Sequence, residues 1–413
     1  MFNQNMLKSS ILKELYFLRH ASCAEISDKT GKSFPLIQKQ INEMIDDDLL
    51  EESGLAPSTG GRRPAMYRLK AQSLYTVSIA MDQYITRISV IDTNNKIVFS
   101  KELECPLVNS EGILKTLYEN TEDVISRSGV HRDKIIGVGV GMPGFIDFQQ
   151  GENYSFFQNE EKSFARQLNE KLKLPVYLDN DSSLIALAEY RFGSAKNQKH
   201  AMVINIGWGV GLGMILNGEL FRGHNGFAGE FSHIPLFNNN KLCQCGKSGC
   251  LETESSLLVT LDKVREGLQT GRVTSLKSGF NTGHLQNEWK EVVKAAMHGD
   301  QFVIETLSEI GYNIGRGIAI LIHLINPETV ILSGRGAIAG KLWLAPIQQA
   351  LNEHCIPRLS ANTTIGISSL GDEALSIGCS ALVIEHLDTV SPLYVQDQNF
   401  NGLLTKISTK TID

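Results

Sequence analysis

The stretch IIGVGVGMPGFID, Ile135–Asp147, reads as a buried β-strand running into a Gly/Pro turn. Upstream of it, Tyr75–Ala80, Arg87–Asp92 and Lys96–Phe99 read as a strand meander with a turn at Asn94-Asn95, followed by a helix over Glu111–Ser128. Downstream, Pro175–Leu178 is a strand that leads into a helix over Asp179–Phe192. The cycle then starts again. Ala201–Ile206 is a strand whose Gly-rich turn leads into Gly213–Leu216, helices are predicted over 252–268, 286–298 and 300–325, and Thr329–Ser333 is a further buried strand. Two rounds of meander, helix and strand predict an α/β body of two similar lobes, with a cleft between them where such folds place ligands.

The first seventy residues have a different pattern. Met6, Leu7, Ile11, Leu12, Leu15 and Leu18 recur at helical spacing. Ser22-Cys-Ala-Glu25 has the order of a capping box and opens a short helix that stops at Gly31. Ser33 can cap a third helix, with Pro35 in its first turn and Ile37, Ile41, Met44 and Ile45 on one face. A strand at Leu49-Leu50, a Gly/Pro-rich tip and a strand at Met66–Leu69 complete three helices and a β-hairpin. That is the layout of a winged helix-turn-helix, whose third helix would enter a DNA major groove while the wing touches the backbone. The candidate contacts are Ser33, Gln38, Lys39 and Asn42 on the helix and Arg62 and Arg63 on the wing. The bland alternative makes them an exposed polar face and a solvated loop.

Composition agrees with a folded, non-secreted chain. With 413 residues, 42% hydrophobic and 20% charged, it can bury a core in two to four domains. Its net charge of −6 excludes a uniformly basic protein but not a small nucleic-acid module, and residues 1–70 carry ten Lys/Arg against nine Asp/Glu. No apolar run approaches the ~18 residues of a membrane span, and the N-terminus does not read as a signal peptide, so a cytoplasmic protein is expected.

Seven cysteines make an odd set, of which Cys243, Cys245 and Cys250 cluster and the other four stand singly. With His233 they supply one imidazole and three thiolates, a closed donor set for tetrahedral Zn²⁺ in a structural role. Gly246 and Gly249 let the short loop fold back on the ion. Carboxylates and amides that can take paired sugar hydroxyls stand at segment ends: Asn180-Asp181, Glu230 and Glu252. Read alone, Asp181 could be only a helix cap and Glu252 only a surface acid.

The run Gly-Glu-Phe-Ser-His233 with Cys-x-Cys-Gly-x-x-Gly-Cys-Leu-Glu252, together with Gly60-Gly61-Arg62-Arg63-Pro64, resembles the repressor branch of the ROK family (repressor, open reading frame, kinase). The resemblance covers the DNA module and roughly 74–385. It implies an actin-like, sugar-kinase-type body and a hexose held by Gly144, Asn180, Asp181, Glu230, His233 and Glu252. In the family's kinases the acid at Asp181 is the catalytic base. Where that family's first phosphate loop reads Asp-x-Gly-Gly-Thr, this chain has Ala80-Met81-Asp82-Gln83-Tyr84, and its second loop carries Trp208 in place of a Thr. The adenosine-side run Ser333–Gly336 is only partly family-like. ATP binding is therefore expected to be lost.

The expected layout is a winged helix-turn-helix at 1–70, a two-lobed sugar-binding body at 71–385 and a tail at 386–413. The expected function is sugar-responsive repression of an operator, by a homodimer or homotetramer, with a monosaccharide or sugar phosphate as effector. An active ROK hexose kinase carrying a DNA module is the alternative. A regulator whose signal is a docked phosphotransfer protein is the third reading.

Overall fold

A computed structural model of the chain describes residues 2–57, 63–107, 112–157, 162–276, 280 and 283–388. The chain forms two compact units, Met1–Leu184 with Ser376–Asp413 and Ile185–Leu375. Among the described residues, no helix is long and apolar enough to cross a membrane.

The first unit opens with α1 (Phe2–Leu18), β1 (Ala21–Ser22), α2 (Cys23–Thr30), α3 (Phe34–Asp46), β2 (Leu50–Leu55) and β3 (Ala65–Leu69). The strands make a three-stranded antiparallel sheet in the order β1-β3-β2, giving a winged helix-turn-helix. Its core forms because Ile11, Leu12, Leu15, Ile26, Ile37, Ile41 and Met44 fall on the inward faces of their helices and are almost fully buried. The Ser22–Glu25 capping box is formed in both directions, and Gly31 ends α2 in the left-handed region at φ 65°. Ser33 does occupy the N-cap position of α3, but its hydroxyl makes no capping bond; the helix begins at Phe34, with Pro35 in its first turn. The two-residue β1 has no periodicity to reveal it in the sequence.

The same unit continues with β4 (Tyr75–Met81), β5 (Ile85–Asp92) and β6 (Ile97–Glu104), an antiparallel meander, and then α4 (Ile113–Ser128). Next come β7 (Ile135–Met142), the hairpin of β8 (Ile146–Asp147) and β9 (Glu152–Asn153), α5 (Phe164–Leu172) and β10 (Val176–Asn180). The five-stranded sheet runs β10-β7-β4-β5-β6, with β7 parallel to both its neighbours.

After α6 (Asp181–Phe192), within which the division falls, the second unit repeats the plan. A meander of β11 (Ala201–Ile206), β12 (Val210–Leu216) and β13 (Glu219–Phe221) is followed by α7 (Leu257–Gln269), α8 (Leu285–Met297) and α9 (Gln301–Ile325). Then come β14 (Thr329–Ser333), α10 (Leu344–His354), α11 (Pro357–Ser360) and β15 (Thr364–Ile367). The sheet order, β13-β12-β11-β14-β15, is the first sheet's order over again: third, second, first, fourth and fifth strand. The two-round α/β architecture expected from the sequence is therefore present. The helix expected over 252–268 is instead a 3-10 turn at Leu251–Glu254 and then α7, which begins where the Ser256 hydroxyl accepts the Val259 N–H.

The last helix among the described residues, α12 (Ala374–Glu385), belongs from Ser376 onward to the first unit and explains the opening glycines. A Cβ at Gly139 would stand 2.0 Å from the Cys379 carbonyl oxygen, and one at Gly137 would stand 2.8 Å from Val383. The glycines of β7 thus let a helix lie directly on the strand.

Candidate functional site

In the first unit, parallel β7 and β10 end side by side, with Asn180 in register with Met142. Chain ends of this kind place polar groups where α/β folds bind ligands. Gly144, just past β7, has φ 104°, and a Cβ there would stand 2.8 Å from Ser155. Its carbonyl accepts the Asn180 amide at 3.3 Å, while buried Asn153 donates to the Pro143 carbonyl at 3.0 Å and fixes the turn from behind. The Asn180 side-chain oxygen accepts the N–H groups of Ser182 and Ser183. Asn180 therefore caps α6. Asp181 is not the cap; its Oδ1 accepts the Ser182 N–H at 2.7 Å.

In the second unit, the ligand atoms of His233, Cys243, Cys245 and Cys250 all lie within 4.8 Å of one another. Cys245 Sγ is 3.6 Å from Cys250 Sγ, and Cys243 Sγ is 3.5 Å from His233 Nδ1. A tetrahedral ion with Zn–S bonds of about 2.3 Å needs sulfurs about 3.8 Å apart, so the donor set fits a closed metal centre. Burial, reinforced by the neighbouring Cys245 and Cys243, pushes the Cys250 thiol up to about 12 in the absence of a cation; binding a metal here would release protons. The loop is framed by Cys243 N–H donating to the Lys247 carbonyl and Gly249 N–H donating to the Lys241 carbonyl. Buried Glu254, which the sequence reading passed over, anchors the loop from outside through Lys241 at 2.7 Å and through Asn239.

His233 also looks the other way. Its Nε2 lies 3.6 Å from Glu230 Oε2 while Nδ1 faces the thiols. Burial raises the Glu230 carboxyl above its usual range; His233 opposes this and Glu252 adds to it. Glu252, immediately after the Cys250-Leu251 step, accepts the Val210 N–H at 3.2 Å. One cluster therefore brings Glu230, His233 and Glu252 together.

The first of the loops expected to face phosphate is tied by its own side chain. Asp82 Oδ1 accepts the N–H groups of Tyr84 at 2.8 Å and Ile85 at 2.7 Å, so backbone donors of this β4–β5 turn serve an internal carboxylate. Trp208 is 2% exposed, and the Arg335 guanidinium lies over its ring at 5.8 Å. At Gly334 a Cβ would stand 2.2 Å from Asn205 Oδ1, and at Gly336 one would stand 2.5 Å from Ile206. These glycines pack the turn against β11.

On the winged module, Ser33, Lys39 and Asn42 are exposed on the outward side of α3. Gln38 is half-buried, accepting the Cys23 thiol and donating to Asn42. Arg63 is exposed; Arg62 lies outside the described residues. Three of the module's nine acids are held in close ion pairs: Asp47 with Lys8, Asp48 with Lys70 and Glu51 with Arg68. Arg68 of β3 is thereby engaged.

Comparison with known proteins accords with these arrangements. The profile of the ROK family matches residues 76–386. The xylose repressor of Caldicellulosiruptor bescii is 27% identical over 399 residues, covering 94% of this chain and 98% of the repressor. The glucokinase of Halalkalibacterium halodurans is 32% identical over 304 residues, covering 72% of this chain and 91% of the kinase. A crystal structure of a ROK family transcriptional regulator, a homologue of the Escherichia coli MLC protein, shares the fold with a TM-score of 0.75 at 22% identity, covering 98% of this chain and 99% of that one. The chain, with its two repeated sheets, its His/Cys cluster and its winged module, belongs to the ROK family.

Proposed function

We propose that this protein is a sugar-responsive transcriptional repressor. α3 and the wing bind operator DNA, and a monosaccharide or sugar phosphate is the effector. The observation that carries this reading is the winged module with its exposed α3. The similarity to a xylose repressor extends over 94% of the chain, against 72% for the glucokinase. Asp181, Asn180 and the Gly144 backbone, with Glu230, His233 and Glu252, are the groups assigned to the sugar hydroxyls. Zn²⁺ in the Cys243, Cys245, Cys250 and His233 set would hold the loop bearing His233 and Glu252 in place, in a structural role since all four positions are filled by protein.

Kinase chemistry is taken to be lost because the Asp82 carboxylate already occupies backbone donors that a phosphate would need, and a fixed negative charge there repels another. Repression by an even-numbered oligomer on paired half-sites fits the module. The effector then has to favour one arrangement of the DNA-binding modules by about 1–3 kcal/mol. The protein would act in the cytoplasm.

The test titrates operator binding against a panel of sugars and sugar phosphates, beside a coupled ADP-release assay on glucose, mannose and N-acetylglucosamine. The expected result is sequence-specific DNA binding released by one sugar class and no turnover. Glu252→Ala should abolish the sugar response with operator affinity nearly unchanged. Turnover at ordinary kinase rates would establish the hexokinase reading, which the intact Asp181 would serve. Release by cell extract but by no small molecule would point to a phosphotransfer protein as the signal.

A further inference from the structure

α3 turns Ile37, Gln40, Ile41 and Met44 into the core of the winged module. Pro35, Lys39 and Asn42 lie along the opposite side, and the first turn carries two large apolar side chains that the fold leaves uncovered. Phe34 is 50% exposed and Leu36 is 41% exposed. Neither position is required by the core, which α3 completes without them. Half-exposed Phe and Leu at the tip of a helix forgo burial worth about 0.8 kcal/mol per CH₂, which a surface that covers them would recover.

Charge identifies that surface. Exposed Lys29 and Lys32, at the end of α2 and in the turn into α3, have no ion-pair partner among the described residues. Lys39 stands only loosely beside Glu43, at 3.9 Å. The acids Asp47, Asp48 and Glu51 are held in ion pairs with Lys8, Lys70 and Arg68, away from the first turn of α3, which contains no acid. An apolar tip with Lys29 and Lys32 just before it in the chain and Lys39 a turn beyond it, against Asp28 as the one exposed acid of that stretch without a described ion pair, fits a surface that is anionic outside and apolar inside. The DNA major groove is such a surface, with phosphates along its edges and the thymine 5-methyl group as its apolar feature.

Building on the operator-binding function proposed above, we propose that Phe34 and Leu36 read thymine 5-methyl groups in each operator half-site, while Lys29, Lys32 and Lys39 meet the flanking phosphates. Thymine and uracil pair identically and differ there only in that methyl, so uracil is the decisive probe.

The experiment first selects a binding site from random-sequence DNA with the full-length protein. Each thymine of the selected site is then replaced by uracil in turn, and affinity is measured at fixed salt. At one or more positions per half-site, uracil should weaken binding about threefold to fivefold, the value of one buried methyl. In Leu36→Ala or Phe34→Ala that penalty should vanish at the corresponding position, thymine and uracil then binding equally well. Both side chains are exposed, so a circular dichroism spectrum matching the wild type is expected. Uracil tolerated throughout a defined selected site, or a penalty that persists in both variants, overturns the assignment and leaves Phe34 and Leu36 to a protein partner. Selection that yields no preferred sequence instead sinks the operator-binding function itself, and this assignment with it.

Discussion

A Cβ at Gly249 would stand 2.0 Å from the Phe237 carbonyl oxygen, at a φ of 75°. At Gly246, with φ 82°, the same atom would meet nothing within 4 Å. The two glycines of the cysteine loop look equivalent in the sequence, since Gly246 follows a cysteine and Gly249 precedes one; only the neighbour across the hairpin distinguishes them. Gly246→Ala should cost only left-handed backbone strain, about 1 kcal/mol, and a few-fold in metal affinity. Gly249→Ala has to push the 234–237 segment away and should cost more than tenfold. Competition with a chromophoric chelator measures both, and equal losses would remove the close approach as the cause. The candidate ligand set, which the fold gathers within 4.8 Å, is legible because thiols and an imidazole at short spacing have few other uses. Asp82 was legible only by half: the missing glycines could be read, but that its carboxylate accepts two N–H groups of its own turn depends on β4–β5 geometry that no spacing reveals.

At the scale of elements, α1 is the member whose role exceeds its pattern. Its helical spacing predicts one buried stripe, and Ile11, Leu12 and Leu15 supply it. Tyr16 is 1% exposed for a different reason: it donates to Asn95 Oδ1 at 2.5 Å and reaches Ser380 on α12. Arg19 donates to the Thr93 carbonyl at 2.8 Å, and Lys13 reaches the Glu385 carbonyl and Asp388. The Asn94-Asn95 turn was readable as a turn, with Asn95 at φ 64°. That it receives the winged module was not, because the partner lies about eighty residues away along the chain. Burial pushes the Tyr16 phenol up to about 12 from its ordinary 10. The neutral phenol is the form the folded state prefers, so its contribution is whole below pH 10 and is lost as pH rises from 10 towards 12. In an alkaline titration followed at 295 nm, the last tyrosine to ionise should disappear in Tyr16→Phe, with a stability loss of about 1 kcal/mol. An unchanged late phase would assign it to another phenol.

Across the whole molecule, the chain uses one plan twice and then separates its tasks along it. The repeat was visible as two rounds of meander, helix and strand, because strands buried on both faces keep their apolar character wherever they occur. The return of the last described helix to the first unit was not visible, since α12 is buried almost throughout and carries no apolar stripe to show which sheet it covers. Its consequence is that both ends of the described chain meet in the unit bearing the winged module, as Lys13–Asp388 shows, whereas the His/Cys cluster stands in the other unit. If zinc only holds His233 and Glu252 for the sugar, removing it should affect one task and spare the other. After exhaustive chelation, with metal loss verified by elemental analysis, operator affinity should stay within about threefold while the sugar-induced release is lost. Re-adding Zn²⁺ should restore the release. A sugar response that survives chelation would refute the positioning role of the metal. Joint loss of sugar response and DNA binding would mean that the cluster supports the oligomer or the second unit as a whole.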